Sequence, residues 1–124
     1  MIALDTHVVA WLYESGAEAV PARIAARLDT ETVRIAPPVV LELTYLHEIG
    51  RLTVPAATML AHLSARLDVA PEDLSAADLF AAAIPLSWTR DSFDRLICAH
   101  SAALGIDLAT KDETIHAHHD RAVW

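Results

Sequence analysis

Short apolar runs alternate with longer amphipathic stretches along the chain. Met1-Ile2-Ala3-Leu4 is apolar and stops at Asp5-Thr6-His7, which predicts a strand over residues 1–4. Val8-Val9-Ala10-Trp11-Leu12 then reads as a helix ending near Ser15-Gly16. Pro21 opens a second helix over 21–29, because proline is tolerated in a first turn where its missing N–H is not needed. Val33-Arg34-Ile35-Ala36 is β-rich and short, hence a second strand. Pro37-Pro38 opens a third helix through Ile49, closed by Gly50. Pro55 starts a fourth, with Leu60, Leu63 and Leu67 on one face. Val69-Ala70 is a third strand, and Ser75 is an N-cap for a helix ending near Pro85. Asp91-Ser92-Phe93-Asp94 has the form of a capping box with Asp in place of Glu. Behind it Phe93, Leu96, Ile97, His100 and Leu104 form one stripe, ended by Gly105. Ile106 to Thr110 is a fourth strand, followed by Lys111-Asp112 and a short helix, and Ala122-Val123-Trp124 is a final strand.

Strands that alternate with helices predict an α/β fold with a mostly parallel sheet of about four to five strands and helices on both faces. Ligands of such sheets sit beyond the carboxyl ends of the strands. Asp5 and Asp112 each follow a strand there. No linker, repeat or low-complexity segment interrupts the pattern, so residues 1–124 read as one domain.

Composition narrows this only partly. At 54% hydrophobic residues, three Gly and six Pro, the chain can bury a core and is not disordered. No apolar run reaches membrane-spanning length, and the start lacks the basic region of a signal peptide. One cysteine, Cys98, cannot form an internal disulfide, which fits the cytoplasm. The formal net charge of −8 read alone argues against a nucleic-acid partner. Acids concentrated in a metal site give the same count without making the whole surface repulsive, and an acidic surface also suits a basic protein partner.

The acids carry the candidate chemistry. Asp5 is either an N-cap or a metal ligand, and the two roles are compatible. Glu42 is the one charged residue between Ile35 and Leu46, on a stripe with Leu46 and Ile49. Burying its carboxylate requires an arginine, hydrogen-bond donors or a cation. Asp94 lies in the first turn of its helix, where the dipole favours a negative charge, and faces the strand ends. Asp91 is the better cap of that helix and is secondarily a supporting or second-metal group. Asp112 mirrors Asp5 and again is either a cap or a ligand. Four carboxylates without clustered Cys or His are hard oxygen donors, suited to Mg²⁺ or Mn²⁺ rather than zinc. Mg²⁺ held this way attacks phosphodiesters through a bound water. His116, His118 and His119 read as a solvated histidine-rich helix, His100 as a core histidine and Cys98 as packing. No Ser-His-Asp arrangement, P-loop or GxGxxG is present.

Four segments together resemble the PIN domain, in particular the toxin half of VapBC toxin–antitoxin pairs. Met1-Ile2-Ala3-Leu4-Asp5-Thr6-His7 is similar to the first motif, and Val39-Val40-Leu41-Glu42-Leu43 to the second. Arg90-Asp91-Ser92-Phe93-Asp94-Arg95-Leu96-Ile97-Cys98-Ala99-His100 resembles the third, with Ser92 where one subgroup has Pro and Cys98 where a small apolar residue is usual. Leu108-Ala109-Thr110-Lys111-Asp112-Glu113 resembles the fourth. The resemblance spans essentially the whole chain, with all four motifs in order. It implies a Rossmann-like α/β/α sandwich, often dimeric, and an acidic quartet of Asp5, Glu42, Asp94 and Asp112, with Thr110 lining the site. It also implies an antitoxin partner whose C-terminal peptide blocks the site, commonly by inserting an arginine among the acids.

The expectation is a Mg²⁺-dependent endoribonuclease, with Mn²⁺ as a substitute. Thr6, Asp91, Thr110, Arg90 and Arg95 are supporting or substrate-positioning residues, with the two arginines placed to hold phosphate. Its partners are RNA, a small antitoxin and a second copy of the chain. Two other readings compete. A phosphoacceptor receiver domain wants an acidic pair after strand one and matches poorly. A PIN-like module that only binds a partner is opposed by the complete quartet.

Overall fold

The computed structural model describes residues 1–70 and 74–124. Its elements follow the apolar pattern: β1 (Ile2–Leu4), α1 (Thr6–Ser15), α2 (Ala22–Leu28), β2 (Val33–Arg34), α3 (Pro37–Glu48), α4 (Ala56–Ser64), β3 (Val69–Ala70), α5 (Ala76–Ala83), α6 (Ser92–Leu104), β4 (Asp107–Ala109), α7 (Glu113–His118) and β5 (Ala122–Val123). A 3₁₀ turn over Gly16–Ala19 links α1 to α2. The strands join one parallel sheet in the order β3-β2-β1-β4-β5, consistent with the expected three-layer α/β/α sandwich. Among the described residues no helix is long and apolar enough to cross a membrane.

β1 is the centre of this order. The chain first winds from β1 toward β2 and β3, then returns to the other side of β1 as β4 and β5. The reversal makes the gap between β1 and β4 the switch point, where a doubly wound sheet opens a crevice at its carboxyl edge. The register is Ile2 with Asp107, Ala3 with Leu108 and Leu4 with Ala109. The Asp5 N–H extends the ladder by donating to the Ala109 carbonyl at 3.1 Å.

Local chemistry sets the boundaries. The Asp5 carboxylate accepts from the Thr6 N–H, so α1 starts at Thr6 rather than near Val8. β2 stops at Arg34, short of the expected Ala36, because Ala36 is extended ahead of Pro37 and serves as the N-cap of α3. α6 ends at Gly105, whose φ of 66° is left-handed and suits glycine. α4 buries Ala56, Met59 and Leu63. Leu60 and Leu67 are half-buried, so the core stripe is displaced from the one that the leucines mark.

The expected α6 stripe is also broader in the structure. Ile97, Cys98, Ala99, His100 and Ser101 are all buried, because α6 packs against α3, α5 and β4. His100 is a core histidine, as its apolar face implied. His119 corrects the reading of α7 as a solvated histidine helix. It is 8% exposed, and its Nε2 lies 2.9 Å from the Ser101 hydroxyl, which donates to the Ile106 carbonyl. Burial lowers its pKa. His116 and His118 are exposed as expected.

At the amino edge of the sheet Glu31 and Asp107 are paired with cations, while Asp68 accepts from the Thr32 hydroxyl. Arg27 donates to Glu31 at 2.6 Å and to Asp107 at 2.8 Å, and the Met1 amine lies 2.9 Å from Glu31. Arg121 adds a longer contact to Asp107 at 3.8 Å. Arg27 and the terminal amine hold the Glu31 carboxyl down at about 2.

Candidate active site

The carboxyl edge has the opposite character. Asp5 leaves β1 there and is 3% exposed. Its Oδ1 accepts from the Thr6 N–H at 2.7 Å. Its Oδ2 accepts from the Thr110 hydroxyl at 2.6 Å and lies 3.2 Å from His7 Nδ1. The Lys111 N–H donates to His7 Nε2 at 3.1 Å, so the ring carries its proton on Nδ1 and directs it at Asp5. Two threonines tie Asp5 to its neighbours. The Thr6 hydroxyl donates to Glu42 Oε2 on α3. The Thr110 hydroxyl also accepts from the Asp112 N–H at 3.1 Å, linking the ends of β1 and β4.

Glu42 lies beside the buried face of α3, which is Pro38, Val39 and Leu43. Glu42 and Leu46 are half-buried and Ile49 is exposed, so the acid flanks the core instead of entering it. Burial raises its pKa, the Thr6 hydroxyl lowers it, and Asp5 and Asp91 raise it again. Asp94 is pushed up to about 7, first by burial and then by Asp91, Asp5, Asp112 and Glu42. All four expected quartet members, with Asp91, therefore lie within electrostatic reach of one point at the start of α6. Cys98, one turn further on and fully buried, is pushed up to about 12 by burial, Asp5, Asp94 and Asp112. Its thiol stays protonated, in keeping with a packing role.

Among the described residues no Lys or Arg lies within ion-pair distance of Glu42, Asp94 or Asp112. The arginine that would have explained Glu42 is therefore not found there. Like charges gathered at the switch point of a parallel sheet mark a candidate site for a positive ligand. The family profile of the PIN domain matches residues 2–120.

The chain belongs to the PIN domain family.

PIN domains are generally nucleases, and these nucleases generally use divalent metals. The fold of this PIN domain matches a chain from the crystal structure of VapBC2 from Rickettsia felis bound to a DNA fragment from their promoter. The match has a TM-score of 0.67 and 18% identity, over 100% of this chain and 98% of that one. Among curated proteins none matches this chain.

The donor set fits a hard divalent cation. All the candidate ligands are carboxylate oxygens, and a cation would offset the burial and the mutual repulsion that raise Asp94 and Glu42. Among the described residues no three Asp, Glu, His or Cys side chains form a ready-made metal cluster.

The other expected residues divide. Asp91 caps α6, its Oδ1 accepting from the Asp94 N–H at 3.0 Å, while its charge still reaches Glu42 and Asp94. Asp112 caps α7 by accepting from the Ile115 N–H at 2.9 Å. The two arginines expected to hold phosphate bond to backbone carbonyls. Arg90 donates to Ser87 O at 2.6 Å. Arg95 donates through Nε to Ala83 O at 2.8 Å and through Nη2 to Ile84 O at 2.7 Å, closing the C-terminal end of α5. Arg95→Met should therefore lower the melting temperature, by the equivalent of about 1–2 kcal/mol, because it frees two helix-end carbonyls. An unchanged melting curve would show that these bonds do not stabilise α5.

His7 was not singled out from the sequence, although it contacts Asp5 and the loop after β4. Its only signal was its position two residues after Asp5.

Proposed function

We propose that this PIN domain is a Mg²⁺-dependent endoribonuclease, the toxin of a type II toxin–antitoxin pair, with Mn²⁺ able to replace Mg²⁺. The observation that carries the reading is the contrast between the two sheet edges. Glu31 and Asp107 at the amino edge are paired with Arg27, Arg121 and the terminal amine, whereas Glu42, Asp94 and Asp112 at the carboxyl edge have no Lys or Arg within ion-pair distance among the described residues. Asp5, Glu42, Asp94 and Asp112 are the cation ligands in this reading. The Thr110 and Thr6 hydroxyls and His7 hold the Asp5 and Glu42 carboxylates in orientation. When bound, the cation supplies a water of lowered pKa for in-line attack on phosphorus and stabilises the leaving 3′-oxygen.

The partners follow from the same chemistry. A small basic antitoxin, encoded next to this gene, would neutralise the acidic edge by inserting an arginine among the carboxylates. A second copy would cover exposed apolar side chains of α3 and the α5 end, where Leu41 is 62%, Phe80 58% and Ile84 74% exposed. The cytoplasm is the proposed location of both proteins.

The test is incubation of the purified chain with labelled single-stranded RNA. Fragments are expected with Mg²⁺ and none with EDTA. RNA left intact under both conditions would favour the competing reading, a PIN-like module that binds without cutting.

A further inference from the structure

Beside the acids lies an open cleft of about 380 Å³, lined by His7, Trp11, Lys111, Asp112 and Glu113. Two of its walls have chemistry that metal binding does not use. Trp11 is half-buried on α1, braced by His7 at 4.7 Å between ring centroids and by Trp124 at 5.8 Å in an edge arrangement. The indole is thereby held as a fixed platform. Lys111 is the only lysine of the chain and is exposed. Its ammonium sits over the Trp11 ring, 6.0 Å from the centroid, and forms no ion pair among the described residues. Its backbone is pinned by the Lys111 N–H to His7 Nε2 bond.

We propose that this cleft holds one nucleotide of a single-stranded RNA, its base stacked on Trp11 and its phosphate on the Lys111 ammonium. The proposal rests on the nuclease reading above for the identity of the ligand. An acidic protein needs a local cation to keep a polyanion beside its carboxylates. Arg27 and Arg121 are engaged at the other edge, and Arg90 and Arg95 hold carbonyls. Lys111 stands next to Asp112 with its charge uncommitted. A base entering the cleft takes the place over the indole that the ammonium holds in the free protein, and the ammonium moves onto the phosphate. Stacking on an aromatic face requires an unstacked base, so the ligand is single-stranded, and it is tolerant of sequence because every base has a π-face.

The test measures fluorescence anisotropy of a labelled short single-stranded RNA of mixed sequence, in EDTA so that binding is read apart from cleavage. Trp11→Leu is expected to weaken binding by about tenfold or more, and Trp11→Phe to keep most of it. Lys111→Gln, an exposed change that leaves the fold intact, is expected to weaken binding and to reduce the slope of log Kd against log salt by roughly 0.7. Circular dichroism melts check that each variant is folded. RNA binding unchanged in folded Trp11→Leu and Lys111→Gln overturns the cleft, and so does an absence of RNA binding by the parent chain. A cleft that serves a protein partner instead gives the first of these results. Binding lost in both variants while the parent chain fails to cut RNA with Mg²⁺ supports the cleft and removes the nuclease reading alone.

Discussion

Replacing Asp94 by Asn is expected to lower Mg²⁺-dependent RNA cleavage by at least about 10³-fold, with the circular dichroism spectrum unchanged. Asn has the shape of Asp, and the Asp94 N–H, which Asp91 caps, is untouched. What is lost is one negative charge at the point that Asp5, Glu42, Asp91 and Asp112 all reach. Asp5→Asn should act equally strongly. Its side-chain oxygen can still accept from Thr110 or from the Thr6 N–H, so the strand end survives while the charge does not. Asp91→Asn is the internal contrast. Asn is as good an N-cap as Asp, and Asp91 is more exposed, so a loss of less than about tenfold is expected. Cleavage rates for the three variants, at saturating Mg²⁺, separate the roles. Full activity in Asp5→Asn would remove that carboxylate from the chemistry, and equal losses in Asp91→Asn and Asp94→Asn would make Asp91 a ligand.

The second large effect concerns stability. Asp94 titrates near 7 in the folded chain against 3.8 without the fold, so the folded state holds its proton more tightly. The stability this contributes is complete below about pH 4 and is lost as pH rises through 7. Because the group is partly exposed, the loss is set at about 1–2 kcal/mol, below what the full shift would give. Glu31 runs the other way. Its pKa is lowered to about 2, so its contribution is lost as pH falls from 4.5 toward 2. His119, lowered by burial, also disfavours the folded state as pH falls below its ordinary value of 6.5. Melting curves of Asp94→Asn and the parent chain, taken in EDTA from pH 4 to 8, isolate the Asp94 part. The variant is expected to gain on the parent as pH rises, by roughly 4–8 °C at pH 8. Adding Mg²⁺ at about a hundred times its Kd should stabilise the parent by about 2.7 kcal/mol and do much less for the variant. A parent chain whose melting temperature ignores both pH and Mg²⁺ would mean that the acids do not share a cation.

The contrast between the sheet edges explains how an acidic chain can belong to a nuclease family. Much of the excess negative charge that composition reports is gathered at the switch point, around Asp5, Glu42, Asp91, Asp94 and Asp112. The rest of the surface is closer to balance, with arginines on Glu31, Asp107 and the ends of helices. Net charge is a sum over the surface, and binding depends on its distribution.

The alternation of strand and helix, the ends of α3 and α6, and which acids follow strands are all legible along the chain. These features are local. Apolar period, proline at a first turn, glycine in a left-handed cap and an Asp ahead of a helix all act within a few residues. How the acids meet, and which of the described charges lack an ion pair, depends on the packing of distant elements. Glu42 reaches the end of β1 only because α3 packs against α1, with Thr6 as the link across 36 positions. Thr110 reaches Asp5 across 105 positions because β4 returns beside β1. Arg95 lies one residue after Asp94, yet its guanidinium closes α5, and His119 belongs to the core although its neighbours are solvated. Each of these outcomes depends on which elements lie side by side, and spacing along the chain does not report that.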